Sequence, residues 1–141
     1  MTQPTKEQWK AVEAGLFGSF GRVELLCDGY SVSLCKQLIG ESKLAISVYV
    51  DEWFRGGWLL EDCEERRRFM RPVRIRLYRG AIRKRLEKVS KRKRKELGID
   101  IDETGTYYMP SWPTFAPLRR HLARENTTIE IIEINGEKVT P

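Results

Sequence analysis

Apolar positions recur with two different periods along the chain, and each change of period marks a predicted element. Trp9, Val12 and Leu16 lie at i, i+3 and i+7, which predicts an amphipathic helix; Thr5 serves as its N-cap and Gln8 completes a capping box. Gly15, Gly18 and Gly21 in GLFGSFG break this helix, in the reverse of the strand–loop–helix order of a dinucleotide-binding loop. RVELLCDGYSVSLC (22–35) alternates on both sides of Asp28-Gly29, a dipeptide suited to a type I′ hairpin turn. A two-residue loop sets Val23 opposite Leu34, Leu25 opposite Val32 and Cys27 opposite Tyr30. The other face carries Arg22, Glu24 and Leu26 opposite Cys35, Ser33 and Ser31, so a half-buried antiparallel pair is expected. KLAISVYVDEWFRGGWLL (43–60) predicts a second hairpin, with Asp51-Glu52-Trp53 as a three-residue loop and Trp53 at its tip.

Beyond the strands the period becomes helical. EDCEERRRFM predicts a short helix with acids in its first turn, and Pro72 opens a new helix. There Ile75, Tyr78, Ile82, Leu86 and Val89 fall within about 80° of one another, and Gly80 weakens the helix by roughly 1 kcal/mol. The apolar stripe stops at Lys93. Gly98 suits the C′ position, and residues 98–117, with three prolines, predict an ordered loop. A short helix around Leu118 and Leu122, a strand at 128–134 and a turn at Asn135-Gly136 close the chain. The expected fold is α+β: a four-stranded antiparallel meander packed by the N-terminal helix and a long basic helix, then a short helix and strand. It is read as one domain, 1–141, with its basic helical segment at 62–97.

Composition sharpens this picture mainly through charge. From Arg66 to Lys95 there are sixteen Lys or Arg and one acid, Glu87; this window carries +15 of a net +6, leaving −9 elsewhere. About 40% of residues are apolar, enough for a folded core. No apolar run reaches the roughly 18–20 residues of a membrane span, and MTQPTKEQW lacks signal-peptide character, so a cytoplasmic protein with no membrane partner is expected. Cys27, Cys35 and Cys63 have neither the pairing nor the spacing of a disulfide framework or zinc site, and no cofactor is expected. The single histidine, His121, reads as a surface residue among Arg119, Arg120 and Arg124, and no phosphate loop occurs, which points away from an enzyme.

The cationic run has almost no acid partners at i,i+4, so it reads as a contact surface for nucleic acid or for an acidic protein surface. The candidate contacts are Arg67, Arg68, Arg71, Arg74, Arg79, Arg83, Lys84, Lys88, Lys91, Arg92, Arg94, Lys95, Arg119 and Arg120. Tyr107, Tyr108 and Trp112 could stack on unpaired bases or simply pack. Trp53, at an exposed turn, is a candidate interface anchor.

LCDGYSVSL, LAISVYVDEWFRGGWL and EERRRFMRP resemble small phage- and prophage-encoded proteins over about residues 20–75. The resemblance carries no site residue. It implies a context in the bacterial host's cytoplasm, in which such proteins bind DNA or block host nucleases and CRISPR complexes. Two expectations follow. One is an accessory protein that binds nucleic acid through its basic helix with little sequence preference. The alternative is an inhibitor that meets an acidic host protein or uses its acidic remainder as a nucleic-acid mimic.

Overall fold

The computed structural model describes residues 2–139. The chain begins with helix α1 (Lys6–Phe17), strands β1 (Arg22–Cys27), β2 (Tyr30–Ile39) and β3 (Lys43–Val50), and the short helices α2 (Gly57–Leu60) and α3 (Glu64–Phe69). It continues through β4 (Arg71–Arg76), α4 (Gly80–Glu87), α5 (Lys91–Glu96) and β5 (Thr104–Met109). It ends with β6 (Ser111–Trp112), α6 (Phe115–Glu125), β7 (Ile129–Ile134) and β8 (Glu137–Lys138). The fold is α+β. Two compact units are present: residues 1–71 with 108–141, and Pro72–Tyr107. No helix among the described residues is long and apolar enough to cross a membrane.

The first unit is built on a six-stranded sheet of order β6-β3-β2-β1-β7-β8. Its β1–β2 hairpin has the register that the Asp28-Gly29 loop dictates, with Val23 opposite Leu34 and Cys27 opposite Tyr30. Both turn residues have positive φ, 46° and 90°, as a type I′ turn requires. Thr5 caps α1 in a full capping box, and Trp9, Val12 and Leu16 are buried on the sheet-facing side. They join Phe115, Leu118 and Leu122 of α6, Phe69 of α3, and the inward residues of β1, β2, β3 and β7 in one core. Gly21 after α1 serves close approach: a Cβ on it would strike the carbonyl oxygen of Gly15.

Three expectations about elements are overturned. The second hairpin ends almost as soon as it turns. Val50 bridges Trp53 across a two-residue turn in which Asp51 and Glu52 both have positive φ, 52° and 67°. The chain then leaves the sheet, and Gly57–Leu60 forms a helical turn instead of a strand. Gly56 and Gly57 offer no side chains for cross-strand packing. The edge of β3 is taken instead by Ser111 and Trp112, opposite Ser47 and Ile46. The residues read as a loop at 98–117 thus supply two strands, β5 and β6.

The long basic helix is also absent. Residues 71–76 form a strand paired with β5, because Val73 and Ile75 alternate with Arg74 and Arg76 in the period of a strand. Pro72 is tolerated because a two-stranded sheet has free edges. The remaining helical stretch is divided at Lys88–Ser90 into α4 and α5.

Candidate nucleic-acid interface

Pro72–Tyr107 holds twelve Lys or Arg against five Asp or Glu, a net of +7 on 36 residues. None of its side chains is fully buried; the deepest, among them Val73, Ile75, Leu86, Val89 and Ile101, are half-buried. On β4, Arg74 and Arg76 occupy the exposed positions. Helix α4 starts at Gly80, whose φ of 63° an L-residue adopts only with strain. Ser90 then caps α5, its Oγ accepting from the Lys93 amide at 3.1 Å. At the other end Ile99 N–H donates to the Arg94 carbonyl and Gly98 N–H to that of Lys95, at 2.9 and 3.2 Å, with Gly98 at φ 71°. This pair of bonds is a Schellman cap, as the glycine predicts.

One arginine fastens the unit together. Arg83 donates to the Ile101 carbonyl at 2.8 Å and to Asp102 at 2.9 Å, and pairs with Glu87 at 3.3 Å. The Arg83 hydrogen bond holds the Asp102 carboxyl below its ordinary value. Arg92 and Lys93 share Glu96 at 3.7 and 3.9 Å, while the half-buried Arg94 leaves its Nε without a partner. Among the described residues, Arg74, Arg76, Arg79, Lys84, Arg85, Lys88, Lys91 and Lys95 have no carboxylate within 4 Å. All eight are exposed.

The other unit uses most of its arginines internally. Arg68 donates to Asp28 at 2.6 Å and to Asn126 at 3.0 Å, and lies over the Tyr30 ring. Arg71 donates to the Ser111 carbonyl at 2.9 Å, where it ties β4's first residue to β6. Arg66 stacks on Tyr108 at 3.7 Å, and Arg67 pairs with Asp62 at 3.3 Å. Arg68, Arg71 and Arg83, all expected at the contact surface, are therefore engaged in holding the fold. Arg119 lies over Trp9, and Arg120 is exposed.

The aromatic candidates part company. Trp112 is buried and donates its indole N–H to the Phe69 carbonyl at 3.2 Å, so it packs. Tyr108 lies under Arg66, whereas Tyr107 is exposed. Trp53 is 68% exposed, as expected at a turn tip. His121 is not a surface residue. It is buried against Trp112 and makes a 2.9 Å hydrogen bond with the Arg67 carbonyl, where Nε2–H is the donor. Nδ1 accepts from Arg124 at 3.2 Å, so the ring is neutral, and burial lowers its pKa. Its spacing from Leu118 and Leu122, i+3 and i−1, was the sequence signal for the buried face.

Comparison with protein-family models, curated proteins and solved structures finds no match.

Proposed function

We propose that Pro72–Tyr107 binds nucleic acid through phosphate contacts with little sequence preference. One observation carries the reading: a unit of 36 residues with a net charge of +7 in which, among the described residues, eight exposed cations have no carboxylate partner. Uncompensated cations repel one another and lose little by meeting a polyanion, whose condensed counterions are released on binding. Short helices and a two-stranded ribbon carry these side chains at exposed positions, which suits backbone contact over base readout. A phage-type accessory role, the context that the resemblance implies, is compatible with such a surface.

Titration of the whole protein with duplex and single-stranded oligonucleotides tests the proposal. The logarithm of the affinity should fall linearly with that of salt. Replacing Lys84, Lys88, Lys91 and Lys95 together by Ala should flatten the duplex slope by about 3 to 4. Absence of binding at low salt refutes it. A second reading, an inhibitor that docks on an acidic host protein, is favoured by the exposed Trp53, a side chain enriched at binding hot spots. A partner retained from host lysate after nuclease treatment, and lost with Trp53→Ala, supports that reading.

A further inference from the structure

Helices α1 and α6 meet at Trp9 and Phe115, whose ring centroids are 6.0 Å apart. Beside this contact runs an open groove of about 620 Å³ lined by Glu13 of α1 and by Ala116, Arg119, Arg120, Ala123 and Arg124 of α6. Three guanidinium groups and one carboxylate line it. Residues four apart on a helix lie on neighbouring turns, so Arg120 and Arg124 project side by side, with the small Ala116 and Ala123 leaving space between the turns. Two of the three arginines are held in place without a ligand. Arg119 lies over the Trp9 ring at 5.7 Å, and Arg124 is fixed by His121 Nδ1 and by Glu125, each at 3.2 Å. Arg120 and Glu13 form no ion pair among the described residues. The groove is thus a partly pre-ordered cationic cleft.

We propose that this groove is a second anion site, specific for phosphate groups, carried by the sheet-containing unit and independent of the α4 and α5 cations. Arginine forks match the oxygens of a phosphate, and a group with two or more charges can satisfy several guanidiniums where a single carboxylate cannot. The volume admits a polyphosphate or a short run of nucleic-acid backbone. Buried His121 anchors one wall, and Trp9, packed on the core, anchors the other.

The test is an NMR titration of the whole protein with tripolyphosphate, following the Trp9 indole N–H and the side-chain Nε–H signals of Arg119, Arg120 and Arg124. Saturable shifts at these four groups are expected. Arg120→Glu reverses the charge of an exposed side chain, and Ala123→Leu fills the groove without altering charge. Each should weaken tripolyphosphate about tenfold, the equivalent of one charged hydrogen bond, with the remaining spectrum unchanged. The Lys84, Lys88, Lys91 and Lys95 to Ala variant should keep the groove shifts even where it loses oligonucleotide affinity, which separates this proposal from the preceding one. A short oligonucleotide in place of tripolyphosphate distinguishes a nucleic-acid backbone from a free polyphosphate as the source of the phosphate. If neither ligand moves the four groups, or if both variants bind tripolyphosphate as the parent does, the site does not exist.

Discussion

The Asp28 carboxylate accepts from the Thr127 and Thr128 amides at 2.8 and 2.7 Å and from Arg68 at 2.6 Å, so a hairpin-turn residue fastens α3 and the start of β7. The two backbone bonds, then Arg68, hold its pKa below the ordinary 3.8. Burial holds that of His121 below 6.5. Both groups bind fewer protons in the folded state than in the unfolded one, so both make stability rise with pH. Denaturant unfolding should therefore show full stability near neutral pH and a decline below about pH 6.5 as the unfolded chain protonates its imidazole, at no more than about 1.4 kcal/mol per pH unit. A second decline begins below 4.5, where Glu64 and then Asp28 and Asp102 protonate first in the unfolded chain. His121→Gln should remove the first step and leave the second. A wild-type profile flat from pH 7 to 5 contradicts the buried neutral imidazole. Asp28 was legible as a turn former, but its bonding partners lie 40 to 100 residues away and have no local signature. His121 was misread because the three arginines around it lie off the face it shares with Leu118 and Leu122.

At the scale of elements, Ser90 divides one basic run into two helices. Its hydroxyl offers the Lys93 amide a partner that a continuing helix would have to supply from a carbonyl, and that competition favours a cap. Ser90→Ala should lose about 1 kcal/mol locally, seen as roughly fivefold faster amide hydrogen exchange in α5 with little change in the main sheet. Equal exchange in both proteins shows the cap to be idle. The signal was present in KVSKRKRK, yet the apolar residues Ile75 to Val89 fit a single helical stripe and masked it. The same stripe hid β4, where Val73 and Ile75 between Arg74 and Arg76 satisfy period two as well as Ile75, Tyr78 and Ile82 satisfy the helical period. Two short patterns sharing a residue cannot be separated by periodicity alone. The β1–β2 pair posed no such ambiguity, because a two-residue loop permits one register.

For the whole molecule, the contrast between the two units sets the expected dynamics. The sheet-containing unit buries Val12, Val23, Val32, Leu34, Phe69, Leu118 and Leu122 completely. The Pro72–Tyr107 unit buries none, has helices of eight and six residues, and rests on a two-stranded ribbon. Helices of this length and ribbons of this width are marginal on their own. Native-state hydrogen exchange should find the amides of α4 and α5 opening well below the free energy that protects β1 and β2, and a bound polyanion should slow them selectively. Uniform protection across both units contradicts the division.

Sequence alone determined what depends on neighbours: the capping box at Thr5, the type I′ turn and its register, the cap at Gly98 and the cationic run itself. Each is a bond pattern closed within a few residues, where backbone stereochemistry leaves few choices. Only the tertiary structure decided that β7 lies beside β1 and Ser111–Trp112 beside β3, that His121 is buried, and that Arg68, Arg71 and Arg83 are engaged internally while eight exposed cations of Pro72–Tyr107 have no carboxylate partner among the described residues. Those outcomes rest on side chains and strand edges meeting partners far along the chain, and which distant group arrives is settled by packing of the whole.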